Sequence, residues 1–387
     1  MNKYTKHLAT AIILFSLLSC NQKKKEAEKE VTDPVVEEVA EPETIELLVG
    51  AYTDETNKGI HKFLFNPADG TLENKGVVVE AINPSYLEIS EDRQYVYSVN
   101  ETKPGNVSSF KWNDDRTQLT LVSTQPSEGA HPCYIELNSD ESLLAAANYS
   151  SGNLVVYKVD ENGVISPEPQ NKKHEGSGPV KPNQESAHAH CSKFDANGKF
   201  VYVADLGIDE IVAYPVAEDG TLGEKQTALA FDKGDGPRHL IFHPTKDMAF
   251  IINELSGSIV SASVNHETGM FERIDKQSTL PADYTGKNSC ADIHITSNGK
   301  FLYGSNRGHN SIAMFSVADD GKLTSLGNQS VEGEWPRNFT LSPDEKFMLV
   351  ANKDTNDITV FSVDAETGLL TYTGNKATVS KPVNLMF

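Results

Sequence analysis

The most constraining feature of the sequence is a spacing of 16 residues that recurs six times. Each occurrence joins two marker residues that enclose an apolar segment, a turn and a second apolar segment. The marker pairs are Pro84 and Asn100, Pro132 and Asn148, Ala189 and Asp205, Pro237 and Asn253, Cys290 and Asn306, and Pro336 and Asn352. Period-two alternation and β-branched residues predict that both segments are strands. If each pair closes a hairpin, all the markers lie on one face of the protein.

A second repeat is a tight turn that follows the third strand of each unit. Its glycine is preceded by Asp, Asn or Thr, and Asp-Gly and Asn-Gly favour hairpins because both residues accept positive φ. The turn occurs at Gly70, Gly163, Gly220, Gly269, Gly321 and Gly368, and residues 114–119 form a degenerate seventh copy. Four-stranded units of ~40–50 residues predict an all-β fold, a seven-bladed β-propeller of four-stranded antiparallel blades.

The two ends of the repeat region each have the form of half a unit. Residues 45–52 resemble a second strand with nothing before it, and residues 381–387 resemble a first strand with nothing after it. We predict that these N- and C-terminal strands pair and close the ring, which removes exposed strand edges. A solenoid is the alternative, but it requires capping repeats rather than matched half-units.

The segment before the repeat region has the composition of a targeting signal. Residues 1–20 contain two lysines and then an apolar run of 11 residues, which is too short for a membrane-spanning helix of about 20. The run ends in Leu-Leu-Ser-Cys at Cys20, which resembles the cleavage box of bacterial lipoproteins. We predict a signal peptide at 1–20 with lipidation at Cys20, a disordered charged tether at 21–44 and a folded domain at 45–387. An ordinary secretory signal is the alternative.

This organisation places the domain outside the cytoplasm, in the periplasm or at the cell surface, with a lipid anchor to the membrane. The formal net charge of −21 argues against nucleic acid as a partner, because neutralising phosphates requires clustered Lys and Arg. The acidity is instead typical of a solvated surface.

Three cysteines follow Cys20, and an odd number cannot all form pairs. They are Cys133, Cys191 and Cys290, and the sequence contains neither a CxxC motif nor a Cys/His zinc spacing. We expect free thiols, with Cys133 and Cys290 near the core; a disulfide remains the alternative in an oxidising compartment.

Basic, acidic and imidazole side chains follow directly after several markers. They are His190, Arg238, Glu254, Arg307 and Arg337. Glutamate can act as a general base or a charge partner, and arginine offers planar donors to a carboxylate or phosphate. Because Arg238 and Glu254 flank one hairpin, we expect them to be in contact. A purely structural ion pair is the alternative.

Two further histidines, His131 and His188, precede markers on the same face. His188 and His190 are two residues apart, so an extended strand would place both on one side, as a metal pair requires. A third ligand is not evident, and we predict no metal; a channel lining or a loop anchor is the alternative. His239 alternates with Arg238 and is predicted to point into the packing of the blade. Asp292 is interpreted as structural, and Glu101 as a solvated strand end.

Several of these segments resemble a known family. Gly236-Pro237-Arg238-His239, Asn253-Glu254, His188-Ala189-His190 and the Asp-Gly-x-Leu turns are similar to the seven-bladed lactonases. That family includes the propeller-type bacterial 6-phosphogluconolactonases and the fungal carboxymuconate-lactonising enzymes. The resemblance covers roughly residues 45–387. It implies that His190, Arg238, Glu254 and Arg307 take the places of the family's His, first Arg, Glu and second Arg.

The first functional hypothesis is a lactone hydrolase that needs no metal or cofactor and acts on an anionic sugar-type lactone. Glu254 would activate water directly or through His190, and Arg238 and Arg307 would bind the acid group and the oxyanion. His131, His188 and Arg337 would contribute to substrate binding. The resemblance supports lactonase activity better than a phosphorylated substrate, because such sugar lactones are scarce outside the cytoplasm.

Two other functions remain open from the sequence. A propeller can serve as a non-catalytic, surface-anchored module that binds an anionic glycan or peptide, since fold does not determine function. A redox propeller with a quinone cofactor is the third hypothesis.

Overall fold

The computed structural model describes residues 43–387, and their strands form seven antiparallel sheets of four strands each. From the channel outwards, blade 1 contains β28 (Pro382–Met386), β1 (Ile45–Ala51), β2 (Gly59–Phe65) and β3 (Leu72–Glu80). Blade 2 contains β4 (Leu87–Ile89), β5 (Tyr95–Asn100), β6 (Asn106–Trp112) and β7 (Leu119–Pro126). Blade 3 contains β8 (Pro132–Leu137), β9 (Leu143–Asn148), β10 (Asn153–Lys158) and β11 (Gln170–Lys173).

The remaining four blades follow the same order of strands. Blade 4 contains β12 (Ala189–Phe194), β13 (Phe200–Asp205), β14 (Glu210–Pro215) and β15 (Gln226–Ala230). Blade 5 contains β16 (Pro237–Phe242), β17 (Met248–Asn253), β18 (Ser258–Asn265) and β19 (Met270–Ser278). Blade 6 contains β20 (Ser289–Ile295), β21 (Phe301–Arg307), β22 (Ser311–Val317) and β23 (Leu323–Ser330). Blade 7 contains β24 (Pro336–Leu341), β25 (Phe347–Asn352), β26 (Asp357–Val363) and β27 (Leu370–Thr378).

The ring closes through the two ends of the repeat region, as the sequence predicts. Strand β28 pairs antiparallel with β1, with Val49 opposite Leu385. The innermost strands of neighbouring blades contact one another in an unbroken series around the central channel. This confirms the seven-bladed propeller, in which the pairing of β28 with β1 leaves no open edge at the ring's seam.

The glycine turns fix how each blade packs on the one before it. Gly70 has a φ of 74°, and a Cβ at this position would lie 2.8 Å from the ring of Phe347, the first residue of β25. The turn glycines of blades 3 to 7 meet the corresponding strand starts at Tyr95, Leu143, Phe200, Met248 and Phe301. Blade 2 has Arg116 in this turn, and its guanidinium forms an ion pair with Glu46 of β1 instead. In blade 2 an ion pair with the preceding blade therefore takes the place of the packing contact that the glycine makes in the other blades.

The predicted signal peptide, the lipidation site at Cys20 and almost all of the predicted tether lie outside the described residues. Within the described part, no helix is long and apolar enough to span a bilayer. Cys133, Cys191 and Cys290 are all buried and free of disulfides, which confirms the expectation of free thiols.

Candidate active site

The functional residues of the inner strands occupy β-bulges. In β8, β12, β16 and β24 the pairing with the second strand skips one residue, namely Cys133, His190, Arg238 and Arg337 respectively. In β20 the pairing skips Ala291 and Asp292. A bulge bends the strand and re-aims the extra side chain. The residue after the marker therefore departs from the regular alternation, and its side chain contacts other blades. These contacts lie at the end of the channel that carries the markers, which is here called the mouth.

Glu254 is the centre of an ion cluster at the mouth. Its Oε2 lies 2.9 Å from Nε of Arg238 and 2.8 Å from Nη2 of Arg307, and Ser289 donates a hydrogen bond of 2.9 Å to Oε1. This confirms the expected contact between Arg238 and Glu254. Within residues 43–387, however, the Nε–H of Arg238 has no well-directed acceptor, so its contact with Glu254 is Coulombic. Arg307 likewise makes no hydrogen bond through Nη1 to the described residues.

Arg238 is held on its other side by a chain of hydrogen bonds. Its Nη1 donates to the carbonyl of Ala291 at 2.6 Å and to Nε2 of His239 at 3.1 Å. His239 in turn donates from Nδ1 to Asp292 at 2.8 Å. Burial and the positive charges of Arg307 and Arg337 lower the pKa of Arg238 to about 10. Such like-charge crowding is typical of a site that receives an anion.

The two guanidiniums change the chemistry of Glu254. Burial alone would raise the pKa of this carboxyl, but Arg307 and Arg238 outweigh it and lower the pKa to about 2. Glu254 is therefore charged at neutral pH, and it is a weak proton acceptor. This argues against the sequence-based hypothesis that Glu254 itself activates water, because the neighbouring cations stabilise its ionised form.

His190 lies beside this cluster and is almost fully buried. Its Nδ1 is 3.7 Å from Sγ of Cys133, and its ring is 5.2 Å from that of His239. Burial, followed by the charge of Arg238, holds the pKa of His190 well below its usual value. The imidazole is thus neutral at neutral pH, and its Nε2 has no hydrogen-bond partner in the described part of the chain.

A second cation and carboxylate face the mouth from blades 7 and 2. The Arg337 guanidinium lies over the ring of Tyr52 at 5.6 Å, and its nearest carboxylate oxygen, on Glu101, is 3.8 Å away. Arg337 makes no hydrogen bond to any described residue. Tyr52 donates to Glu101, with its Oη 3.0 Å from each carboxylate oxygen.

The interpretation of Glu101 as a solvated strand end is wrong, because only 15% of its side chain is exposed. The signal was present in the sequence: Glu101 directly follows the marker Asn100, as Glu254 follows Asn253. His239 was also misassigned to the interior of the blade. It contacts the channel rings of Tyr134 and His190, since the bulge at Arg238 shifts the alternation of β16.

The other two histidines stabilise the rim of the mouth. His188 stacks on Tyr149 with ring centroids 4.5 Å apart, and its Nδ1 donates to the carbonyl of the same residue. His131 adopts a φ of 54° and its Nδ1 lies 2.7 Å from Oγ of Ser150. His188 and His190 both contact the ring of Tyr149, with centroids 4.5 and 5.6 Å away, so they lie on one side as their spacing predicts. Among the residues described, no three His, Cys, Asp or Glu side chains form a cluster suited to a metal ion.

Comparison with known proteins identifies the family. Residues 46–387 match the family described as lactonase, 7-bladed beta-propeller. The chain belongs to this family. It is 33% identical over 341 residues to a 6-phosphogluconolactonase of Bacillus subtilis, covering 88% of this chain and 97% of the relative. It is 36% identical over 335 residues to a 6-phosphogluconolactonase of Formosa agariphila, covering 84% and 94%.

A solved structure gives the same result. The periplasmic gluconolactonase of Pseudomonas aeruginosa superimposes with a TM-score of 0.84 at 30% identity, covering 89% of this chain and 99% of that one. The resemblance predicted from the sequence is confirmed, and the chain is a lactone hydrolase in the general sense of its family.

The ion cluster predicts the pH dependence of stability. Replacing Glu254→Gln leaves two buried guanidiniums without a carboxylate, and losing one partner of a buried pair costs about 3–5 kcal/mol. The 12% exposure of Glu254 should make the loss smaller. Because its pKa is about 2 in the folded chain against a usual 4.5, its contribution is complete above pH 4.5 and disappears as the pH falls towards 2. Denaturant unfolding from pH 7 to 3 should show wild type and variant converging.

The matched control is Glu218→Gln, which removes an exposed carboxylate. It should change the free energy of unfolding little at any pH. A gap between wild type and Glu254→Gln that is as large at pH 3 as at pH 7 would contradict the assigned role of the ion cluster.

Proposed function

We propose that this protein hydrolyses the ring ester of a sugar-type lactone that carries an acid group, using side chains of the mouth alone. The observation that carries the proposal is the convergence of three buried guanidiniums, a neutral imidazole and a carboxylate at one end of the channel. Guanidiniums stabilise negative charge that develops in a transition state, and a neutral imidazole can accept a proton from water.

Arg238 and Arg307 are assigned to the oxyanion. Attack of water on the ring carbonyl moves negative charge onto its oxygen. Nη2 of Arg238 and Nη1 of Arg307 make no hydrogen bond to the described residues and can donate to this oxygen. Removing one such donor typically costs ~10²–10³ in rate. Glu254 then has a positioning role, because its carboxylate holds both guanidiniums in place without needing to accept a proton.

His190 is assigned as the proton acceptor. When Nδ1–H donates to Cys133, Nε2 carries the lone pair that faces an attacking water. The water oxygen bonds to the carbonyl carbon, His190 takes the proton and delivers it to the ring oxygen as the ring C–O bond breaks. An acid group bound nearby would offset the guanidinium charges that lower the pKa of His190 and so make it a stronger base.

Arg337 is assigned to the acid group of the substrate. Its planar donors have no hydrogen-bond partner in the described part of the chain, and such a fork matches a carboxylate in two parallel hydrogen bonds. His131 and His188 are assigned to the hydroxyl groups of the sugar at the rim. The second candidate function is a binding module, which the same unpaired Arg337 would serve if the ligand were held without being opened.

The assignment predicts distinct losses for two variants in a lactone panel that includes gluconolactone and its 6-phosphate. His190→Gln should lower the turnover number by about 10²–10⁴, the range expected for a general base. Arg337→Gln should mainly raise KM for lactones with an acid group. The initial rates must be corrected for spontaneous opening and measured with and without EDTA, which should have no effect.

The control for this panel is Arg273→Gln, which removes a half-exposed guanidinium on the outer surface. It should behave as wild type. A wild-type rate no higher than buffer across the panel would refute the hydrolase, and unaltered ligand whose affinity falls in Arg337→Gln would identify a binding module.

The domain is proposed to act outside the cytoplasm. A relative from Pseudomonas aeruginosa is described as periplasmic, which agrees with the signal peptide at 1–20, the lipidation site at Cys20 and the tether at 21–44 predicted from the sequence. The wild-type protein should incorporate labelled palmitate and fractionate with membranes, whereas Cys20→Ser should do neither. Cys191→Ser is the control and should stay membrane-bound. An unlabelled, soluble wild-type protein would contradict the anchor.

A further inference from the structure

Two carboxylates occupy equivalent positions on opposite sides of the mouth. Glu254 follows the second strand of blade 5, and Glu101 follows the second strand of blade 2. Glu254 contacts two guanidiniums at hydrogen-bonding distance, but Glu101 is held by the hydroxyl of Tyr52 and stays 3.8 Å from Arg337. The proposed mechanism uses the first carboxylate and leaves the second without a role.

Glu101 sets the charge of the mouth. The guanidiniums of Arg238, Arg307 and Arg337 contribute three positive charges, and Glu101 and Glu254 contribute two negative ones, which leaves one positive charge. All five side chains are at most 15% exposed, so solvent screens the interactions between their charges only weakly.

The next layer of the channel contains the carboxylate of Asp292. Asp292 accepts hydrogen bonds from His239 and from Asn338, and burial lowers the pKa of His239 to about 4, so that this histidine is neutral. His294 also contacts Asp292, at 3.1 Å. A ligand at the mouth therefore faces the carboxylate of Asp292 below it, and both Asp292 and Glu101 would repel a second negative charge on the ligand.

From this arrangement we infer that Glu101 is a specificity-determining residue. It restricts the acid group on Arg337 to one negative charge, so that a carboxylate is preferred over a phosphate monoester. The phosphate carries between one and two charges at neutral pH, because its second pKa is near 6. The inference rests on the proposed function and names its substrate class, a lactone of a sugar acid with a free carboxylate.

The geometry explains how one residue both tolerates a carboxylate and disfavours a phosphate. The separation of 3.8 Å leaves the donors of Arg337 free for a ligand, yet keeps Glu101 close enough to repel extra charge. Tyr52 fixes the position of Glu101 by donating to its carboxylate, and the Arg337 guanidinium lies over the Tyr52 ring. A planar carboxylate can accept two parallel hydrogen bonds from the Arg337 guanidinium, and it has no second negative charge for Glu101 to repel.

The test compares two sugars that contain no lactone and differ only at carbon 6. Glucuronate carries a carboxylate where glucose 6-phosphate carries a phosphate, and calorimetry of the full purified chain at pH 7.5 measures the Kd of each. The wild-type protein should bind glucuronate more tightly than glucose 6-phosphate. Glu101→Gln should tighten binding of glucose 6-phosphate by about tenfold, as expected for removing one nearby charge, and of glucuronate by less.

Two matched variants separate charge from structure. Glu334→Gln removes an exposed carboxylate near the same face and should leave the ratio of the two Kd values unchanged. Tyr52→Phe removes the hydroxyl that holds Glu101 but keeps the negative charge, so the preference for glucuronate should persist. A comparison of melting temperatures shows that each variant is folded.

Three outcomes would overturn the inference: a wild-type preference for glucose 6-phosphate, an unchanged ratio in Glu101→Gln, or binding of neither sugar. These outcomes are distinct from a failure of the proposed function, because hydrolysis in the lactone panel is measured separately.

Discussion

The inner strand of most blades contains one residue more than the strand it pairs with, and this mismatch determines what faces the mouth of the channel. Without the bulges, the residues after the markers would follow the regular alternation of the strand. With them, His190, Arg238 and Arg337 reach across to neighbouring blades, and the rigid hairpins behind them fix their positions. The equivalent bulge in β8 carries the thiol of Cys133. The bulge therefore determines where a side chain points, and the residue at that position determines its chemistry.

Burying three guanidiniums together requires compensation, and most of it comes from acidic groups on other blades. Glu254 links Arg238 of its own blade to Arg307 of the next, so the ion cluster also connects two blades at the mouth. This concentration of positive charge exists in a chain whose formal net charge is −21. An anionic ligand would therefore be attracted to one place on the surface, and an otherwise acidic exterior would disfavour binding elsewhere.

The fold was largely predictable because its signal is periodic. Five of the six marker pairs are aligned partners in the structure, as for Pro237 opposite Asn253; the exception is Pro84 with Asn100, because β4 begins only at Leu87. The two half-units do pair at the ring's seam. The site was only partly predictable, because bulges and contacts between blades leave no local pattern. The pairing of Arg238 with Glu254 follows from one hairpin, but the weak basicity of Glu254 depends on Arg307 from another. Glu101 shares the register of Glu254, but its burial depends on Tyr52 and Arg337, which are distant in sequence, so the local sequence does not reveal it.

The most direct test of the account is a crystal structure with a hydrolysis-resistant lactam of a sugar acid that retains a free carboxylate. The lactam ring should lie in the mouth, with its carbonyl oxygen at about 2.7–3.1 Å from Nη2 of Arg238 or Nη1 of Arg307. The carboxylate should lie on Arg337, and Nε2 of His190 should face the carbonyl carbon with room for one water. A lactam bound outside the mouth, or one whose carbonyl oxygen points away from both arginines, would contradict it.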